Sequence, residues 1–321
     1  MAKIMALGEL LVDFTPAGDS QANNPLFEFN PGGSVANFSV AVAKNELESI
    51  FVGQVGNDMF GKMLKECLES YGVNTDNLTL SDEYKTTLAF VRLFEDGDRD
   101  FSFYRKNGAD TMYSTEQVKN EMFDGIDAFH FSSLSLVNET CKAATYKAIE
   151  LAKANGAIIT YDPNWRPSLW ENAQQCKEEM YGGIKFCDIL KLSEEELEYL
   201  CGEDIQKAVD EIFSLGVKIF VLTLGDKGSK IFTKQGSKEL IGYKVKAVDA
   251  TGAGDTCFGT FVSRLMQYIQ QTYTKIEDIS LETLSEILDF ANAAAALSVT
   301  KRGGMPSVPN IAQVEEFMKK K

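Results

Sequence analysis

The stretch that decides the fold is VDATGAGDTCFG, residues 248–259 of the chain. A strand-like run over residues 241–248 leads into this turn, and an apolar run with helical spacing follows it. Gly252 and Gly254 allow backbone N–H groups to point towards a ligand, and the free N–H groups and the dipole at the start of a helix favour anions. The stretch therefore predicts an anion-binding turn between a strand and a helix.

A carboxylate, Asp255, stands in the same turn. A carboxylate next to an anion site is unfavourable unless it has a function there. One such function is that of a general base, which accepts the proton of an attacking hydroxyl. The N–H groups of residues 252–255 would then stabilise the phosphoryl group during its transfer. The alternative is that Asp255 only caps the helix. A GxGxxG motif is not met, because Cys257 replaces its third glycine, and a GxxxxGK[ST] loop is absent.

The charge of the chain argues against two classes of partner. Of the 321 residues, 32 are Lys or Arg and 47 are Asp or Glu, which gives a net charge of -15. Such a chain repels phosphate backbones and anionic lipids, so we expect neither nucleic acid nor a membrane as partner. The start of the chain lacks signal-peptide features, and no apolar run reaches the ~18 residues of a membrane helix. A cytoplasmic location is therefore expected.

The cysteines and the single histidine argue against other types of site. Six cysteines are scattered without zinc-ligand spacing, and a disulfide framework is not expected. His130 lies in DAFHFS, residues 127–132, which predicts a buried strand and a structural role. Ser-His-Asp catalysis and histidine-rich metal sites are therefore not expected.

Apolar segments of strand length alternate with helical segments over most of the chain. This alternation predicts an α/β fold with a mostly parallel central sheet and helices on both faces, in one domain over residues 1–321. Such sheets bind ligands at the carboxyl ends of their strands. Helices are predicted at residues 34–45, 58–71 and 139–155. A strand is predicted to open the segment 4–14, and further strands are predicted at 49–55, 157–161, 188–192 and 217–223.

Two segments depart from this alternation. Residues 86–94 and 101–105 alternate in polarity around the turn-rich residues 95–99, which predicts a hairpin, and residues 15–31 are also non-helical. We interpret residues 15–32 and 85–106 as a small β-sheet lid beside the main sheet; the alternative is a pair of edge strands without ligand contact. Phe101 and Phe103 could pair the lid with a second copy in a homodimer.

Two motifs carry a resemblance to a known family. DATGAGD, residues 249–255, resembles the C-terminal signature of the ribokinase-like (PfkB) carbohydrate kinases, and PGGSVAN, residues 31–37, resembles their N-terminal signature. The resemblance runs from residue 8 to residue 309, and GELLVDF (8–14), residues 103–105 and DPNWRP (162–167) are most similar to fructokinases. It implies a three-layer α/β/α fold with a small β lid, and an ATP-dependent sugar kinase.

The resemblance also implies which residues bind the sugar. Asp13 would accept hydrogen bonds from sugar hydroxyls, Arg105 would reach over the sugar, and Arg166 would face the acceptor and the transferred phosphate. From the residues alone, Asp13 could be a turn residue and Arg166 a surface ion-pair partner. The implied sugar-binding set is Asp13, Gly32, Gly33, Asn37, Tyr104, Arg105 and Asp255, and the implied catalytic set is Gly252, Ala253, Gly254, Asp255 and Arg166.

ATP, magnesium and potassium are the cofactors that the resemblance implies. Many members position magnesium through water with an NxxE motif; here Ser193 replaces the asparagine and Glu196 keeps the acidic position. The alternative is that Glu194, Glu195 and Glu196 only form the first turn of a helix. The implied ATP residues are Ser193, Thr223, Gly225, Gly228, Gly252, Gly254 and Asn292, and the implied potassium residues are Asp249, Thr251, Ser298, Lys301, Gly303 and Ser307.

The implied reaction is transfer of the ATP γ-phosphoryl group to a primary hydroxyl of a ketohexose, D-fructose at O6. One alternative is a 2-keto-3-deoxygluconate kinase, in which Arg105 and Arg166 would bind a carboxylate. A nucleoside kinase is disfavoured because the lid strands lack an evident base-stacking cluster beyond Phe101, Phe103 and Tyr104. An inactive sugar or nucleotide sensor is disfavoured because it would not need the base at Asp255.

Overall fold

The strands pair into two separate sheets, in a computed structural model that describes residues 1–93 and 99–320. Within these ranges, the larger sheet has the order β13-β12-β11-β10-β9-β8-β1-β4-β5 and the smaller one β3-β2-β6-β7. The strands are β1 (Lys3–Leu7), β2 (Leu11–Asp19), β3 (Pro25–Gly32), β4 (Glu48–Gly56), β5 (Leu78–Ser81), β6 (Leu88–Leu93), β7 (Arg99–Tyr104), β8 (Ala128–Ser132), β9 (Ile158–Asp162), β10 (Ile189–Ser193), β11 (Ile219–Thr223), β12 (Gly228–Thr233) and β13 (Gly236–Ile241).

Helices cover both faces of the larger sheet, as the alternation predicts. They are α1 (Ser34–Lys44), α2 (Met59–Ser70), α3 (Glu139–Ala154), α4 (Ala173–Ile184), α5 (Glu194–Cys201), α6 (Ile205–Ser214), α7 (Ala253–Thr272), α8 (Leu281–Ser298), α9 (Gly304–Ser307) and α10 (Ile311–Met318). None of these helices, within the ranges that the structure describes, is long and apolar enough to cross a bilayer.

Strand β1 shows how the central sheet separates two apolar cores. It pairs in parallel with β4 on one side and with β8 on the other. Its side chains alternate between faces. Ile4 and Ala6 pack in the core with α1, α2, α7 and α8, whereas Met5 and Leu7 pack in the core with α3 to α6. The predicted three-layer α/β/α fold is therefore confirmed.

Local signals place the helix ends close to the predicted residues. The Asp58 side chain accepts a hydrogen bond from the backbone N–H of Gly61 and caps α2, and the Asn138 side chain caps α3 in the same way. Gly72 and Gly156 follow these helices with φ angles of 84° and 79°, a region that suits glycine.

The predicted lid is the smaller sheet. β6 and β7 form the predicted antiparallel hairpin, although its turn, residues 94–98, lies outside the described residues. β2 joins this hairpin and pairs with β3. One side of the sheet, which we call the aromatic face, consists of side chains in contact with one another: Phe14, Phe27, Phe29, Phe90 and Tyr104, with Phe60 of α2.

The predicted strand over residues 241–248 is wrong. β13 ends at Ile241, opposite Gly228, which is the first residue of its partner β12. Gly242 then donates its N–H to the carbonyl of Lys227, and no strand of the described residues continues the pairing. Residues 242–247 form no strand pairing. They lead to Val248, whose backbone N–H donates to the carbonyl of Val299.

Candidate active site

Asp255 stands at the start of α7, where the predicted anion-binding turn is found. Gly252 precedes the helix with a left-handed φ of 76°, and no side chain of the described residues caps the helix. The Ala253 N–H, which was predicted to face the ligand, donates instead to the carbonyl of Ala250, so the N–H groups of Gly254 and Asp255 remain for a ligand. The cap position belongs to Gly252 and Asp255 is the third helical residue, so the alternative that Asp255 only caps the helix is wrong.

The side chain of Asn37 connects α1 to this turn. Asn37 Nδ2 donates a 2.8 Å hydrogen bond to Asp255 Oδ2. Asn37 Oδ1 is buried and has no hydrogen-bond partner among the residues that the structure describes. Because buried polar atoms are normally paired, this oxygen suits a hydroxyl donor from a ligand.

The surroundings of Asp255 favour a base that titrates near neutral pH. Loss of water contact, together with the charge of Asp162, raises the pKa of Asp255 to about 7. The hydrogen bond from Asn37 and the charges of Lys191 and Arg166 oppose this rise. A carboxylate with such a pKa can accept a proton at neutral pH and is a stronger base than an exposed one.

Asp13 lies on β2, beside the glycine pair of the N-terminal motif. A Cβ atom on Gly32 would collide with the Asp13 carboxylate, and one on Gly33, whose φ is 114°, would collide with the carbonyl of Glu9. Position 33 therefore requires glycine, whereas a side chain at position 32 would displace the Asp13 carboxylate. Loss of water contact raises the pKa of Asp13 to about 7, with Arg166 opposing and Glu9 adding to the rise.

Glu9 is a buried carboxylate that the sequence analysis missed. Its Oε1 accepts hydrogen bonds from the Ser34 backbone N–H at 2.6 Å and from the Ser34 hydroxyl at 2.8 Å. It thereby caps α1 from a distant part of the chain and fixes the turn that contains Gly33. Its place in the GELLVDF motif, four residues before Asp13, was the available signal.

The guanidinium of Arg105, which was predicted to reach over the sugar, is largely engaged by groups inside the protein. It is buried and pairs with Asp110 at 2.7 Å, while Nη2 donates to the carbonyl of Leu134 at 2.8 Å. The nitrogen left without a hydrogen-bond partner among the described residues is Nη1. Most of the N–H groups of Arg105 that were predicted to bind the sugar are therefore already hydrogen-bonded inside the protein.

Tyr104 also lies away from Asp13. Tyr104 of β7 pairs with Leu88 of β6, which in turn pairs with Val12 of β2. Asp13, the next residue of β2, pairs instead with Ala89 of β6. Since neighbouring residues of a strand point to opposite faces, Tyr104 belongs to the aromatic face and Asp13 to the other side. Tyr104 is 69% exposed, so its position does not support the predicted contact with the sugar.

Arg166 follows β9 and is exposed at the mouth of the site. Its Nη1 donates to the carbonyl of Trp165. Its charge lowers the pKa values of Asp13 and Asp255, in both cases against the rise caused by lost water contact. A cation near both carboxylates agrees better with the predicted role towards substrate than with the alternative of a surface ion pair.

Lys191, Asp162 and Glu196 form a buried cluster that the sequence analysis did not anticipate, which we call the Lys191 cluster. The Lys191 ammonium lies 3.0 Å from Asp162 Oδ2 and 4.0 Å from Glu196 Oε2. Lysine inside a parallel strand is uncommon, and its place in the middle of an apolar strand was the signal.

Glu196 already has two structural partners. Its Oε1 accepts the Trp165 N–H and its Oε2 accepts the Ser193 N–H, both at 2.8 Å. Burial raises its pKa, but Lys191 and these N–H groups outweigh burial and lower it. Ser193 caps α5 in return, and Glu194, Glu195 and Glu196 do form the first turn of this helix. Each oxygen keeps a lone pair that could accept a proton of metal-bound water.

Four of the predicted ATP residues lie at the ends of β10 and β11, Gly252 and Gly254 lie at the start of α7, and Asn292 lies within α8. Ser193 and Thr223 are the last residues of these neighbouring strands, and Gly225 and Gly228 form the next turn with positive φ angles. Asn292 is buried; its Nδ2 donates to Ser229 at 2.8 Å, and its Oδ1 lies 3.8 Å from the Cys257 sulfur. Its side chain is therefore already engaged inside the protein.

Three of the predicted potassium residues converge. Asp249 Oδ1 accepts the Thr251 hydroxyl at 2.7 Å, and Oδ2 accepts the Gly303 N–H at 3.0 Å. The hydroxyls of Ser298 and Ser307 donate to the carbonyls of Ala295 and Gly304, and the Lys301 N–H donates to the Ser298 carbonyl. Within the described part of the chain, no three His, Cys, Asp or Glu side chains are grouped so as to hold a metal ion.

His130 has the structural role that its segment predicts. Its ring stacks on Phe38 with centroids 3.7 Å apart, and Nδ1 lies 3.0 Å from the Thr160 hydroxyl. Burial lowers its pKa to about 3, so the ring is neutral at physiological pH.

Comparison with known proteins assigns the family. A profile described as "pfkB family carbohydrate kinase" matches residues 1–311. Fructokinase-1 from Oryza sativa subsp. japonica is 37% identical over 319 residues, which cover 98% of this chain and 97% of the rice protein.

Solved structures agree with this assignment. A fructokinase with bound ATP from Xylella fastidiosa has a TM-score of 0.91 at 29% identity and covers 100% of this chain and 99% of that one. A double mutant of the Vibrio cholerae O395 fructokinase, in a form with bound fructose, ADP and potassium ion, has a TM-score of 0.86 at 29% identity, with 99% and 98% coverage. The chain therefore belongs to the pfkB family of carbohydrate kinases and is an ATP-dependent sugar kinase.

Proposed function

We propose that the chain transfers the γ-phosphoryl group of ATP to O6 of D-fructose, with Asp255 as the base. The observation that carries the proposal is the placement of the Asp255 carboxylate at the uncapped start of α7, hydrogen-bonded to Asn37. The named relatives, which are fructokinases, support fructose as the acceptor.

The proton transfer follows from the hydrogen bonds of Asp255. Oδ2 accepts the Asn37 amide, so Oδ1 is the oxygen available for the proton of the attacking hydroxyl. As that proton moves to Oδ1, the hydroxyl oxygen forms its bond to the γ-phosphorus and the bond to the bridging oxygen of ADP breaks. The N–H groups of Gly254 and Asp255 then stabilise the charge on the transferred group, together with Arg166.

The sugar would be held between the two sheets. Asp13 and the buried Asn37 Oδ1 would accept bonds from hydroxyls, and Gly32 and Gly33 would allow the backbone to approach. A carboxylate acceptor such as 2-keto-3-deoxygluconate is disfavoured, because Arg105 already pairs with Asp110.

Magnesium would bind together with ATP and would partly neutralise the charge of the phosphates. Glu196 would contact the water molecules bound to the magnesium. Potassium would lie near Asp249, Thr251 and Gly303, whose oxygens suit a hard cation. The potassium ion named for the Vibrio cholerae relative supports this part of the proposal. The six cysteines are all unpaired, which supports a reducing, cytoplasmic location.

The test is a coupled assay of ADP release with fructose, ribose, 2-keto-3-deoxygluconate or adenosine as acceptor, each with and without potassium. We expect ADP release that depends on fructose and increases with potassium. Faster turnover of another acceptor would replace fructose as the substrate, and no release with any acceptor would favour a sensor.

Fructose phosphorylation should weaken in mild acid. Because the base must be ionised and the pKa of Asp255 is about 7, kcat/KM for fructose should fall as pH falls through that value. Between pH 8 and pH 6 the expected loss is roughly 10-fold. A flat profile over this range would contradict the role of Asp255, and a stability measurement at each pH controls for unfolding.

We also propose a homodimer that forms through the aromatic face instead of the predicted Phe101 and Phe103. Phe103 aligns with Ala89 on the side of Asp13, and the side chain of Phe101 lies outside the described part of the chain. Phe27, by contrast, is 44% exposed on the aromatic face. Light scattering should give a dimer mass for the natural chain and a monomer mass for Phe27→Glu. A monomer mass for both would contradict the proposal.

A further inference from the structure

Lys191 occupies a position that is unfavourable for a charge. It is the third residue of β10, between β9 and β11, and is 7% exposed. An ammonium removed from water requires nearby negative charge, or it loses its proton. Burial lowers its pKa, but Asp162 and Glu196 raise it further, so the ammonium stays charged.

The same ammonium lies against the residue that precedes Asp255. A Cβ atom on Gly254 would be 3.2 Å from Lys191 Nζ. Gly254 is the second residue of α7, so the ammonium faces the positive end of this helix. Two positive groups in contact repel unless a negative charge lies next to both, and Asp255 is that charge in this structure.

The charged groups around Asp255 come from several elements. Asp162 ends β9, Lys191 lies on β10, and Arg166 follows β9; Asp162 raises the pKa of Asp255 and the two cations lower it. Glu196 of α5 lies behind Lys191, and Asp13 of β2 is influenced by Arg166 as well. Asn37 of α1 contributes its hydrogen bond. Lys191 and Asp162 therefore act on Asp255 in opposite directions while bound to each other.

We propose that the ion pair of Lys191 and Asp162 is a positioning element that sets the protonation of the base at Asp255. Lys191 keeps the base ionised at neutral pH, and Asp162 keeps it basic enough to accept a proton. The inference rests on the proposed function of Asp255, which it deepens. The competing interpretation is that the pair only joins β9 to β10, as an apolar pair could do.

The test uses variants that change one charge or both. Lys191→Met should move the acidic midpoint of kcat/KM for fructose upward by roughly one pH unit, and Asp162→Asn should move it downward by a similar amount. The double variant, in which both charges are removed together, should return close to the midpoint of the natural chain. Lys191→Arg, which keeps the charge, should leave the midpoint nearly unchanged.

Lys142→Met is the matched control. Lys142 also pairs with two carboxylates, those of Glu139 and Glu179, but it lies on α3 on the outside of the sheet. Its loss should leave the midpoint unchanged. Carbon-13 NMR titration of the Asp255 carboxyl, assigned with Asp255→Asn, measures the same shifts without substrate and serves if a variant is too slow to assay.

The outcomes separate this inference from the proposed function. If Lys191→Met and Asp162→Asn lower thermal stability but leave the NMR midpoint of Asp255 in place, the pair is structural and the inference is overturned. If the natural chain has no acidic midpoint near neutral pH, and Asp255→Asn keeps its turnover, the proposed base itself fails. Opposite shifts that cancel in the double variant support the inference.

Discussion

Asp255→Asn should lower kcat for fructose at least ~100-fold, because an amide cannot accept the proton of the attacking hydroxyl. ATP affinity, measured by calorimetry, should change little, since the N–H groups of α7 are retained. Asp210→Asn on the exposed side of α6 is the control and should keep its full turnover. A near-normal kcat for Asp255→Asn would remove Asp255 from the role of base.

Loss of folding is a separate explanation that a melting experiment can exclude. The pKa of Asp255 is raised to about 7 in the folded chain, so the folded state binds its proton more tightly than the unfolded state. The stability that this provides is complete in acid and is lost as pH rises through about 7. At pH 8 the uncharged Asn should therefore melt no lower than the natural residue. A much lower melting temperature would make the kinetic result uninformative about the base.

Gly32→Ala should raise the KM for fructose strongly and leave the KM for ATP nearly unchanged. The new Cβ atom would lie 2.9 Å from Asp13 Cγ, so the carboxylate must move away from its place beside the sugar. Loss of one or two hydrogen bonds to a charged group corresponds to roughly a 10-fold to 100-fold increase in KM.

Gly182→Ala provides the matched control for the glycine substitution. Gly182 lies within α4, and a Cβ atom there would find its nearest neighbour, the Tyr146 hydroxyl, at 3.9 Å. Alanine should be neutral or slightly stabilising in a helix. An unchanged fructose KM in Gly32→Ala would mean that Asp13 does not bind the sugar.

Patterns with local causes predicted most of the fold correctly. Helix α2, for example, begins after the capping residue Asp58 and ends just before Gly72, and both signals are visible in the sequence. The predicted strand at residues 241–248 failed because strand length depends on a partner: β12 begins at Gly228, so β13 has nothing to pair with beyond Ile241. Such a limit is set by another part of the chain.

The candidate site was predictable where a residue is held by its own turn. Gly252, Gly254 and Asp255 lie at the start of α7 as their motif indicates. The engagement of Arg105 was not predictable in this way, because its partner Asp110 competes with a ligand for the guanidinium and belongs to another turn. Lys191 was missed because its significance comes from Asp162, 29 residues away in sequence but on the adjacent strand.

The most direct test of the role of Asp255 is a single-turnover experiment with radiolabelled ATP and saturating fructose. Rapid quenching would follow phosphoryl transfer itself, separately from product release, in the natural chain and in Asp255→Asn. We predict that the natural chain forms fructose 6-phosphate quickly and that the variant forms it at least ~100-fold more slowly at full occupancy of both substrates. Equal transfer rates in the two proteins would contradict the account.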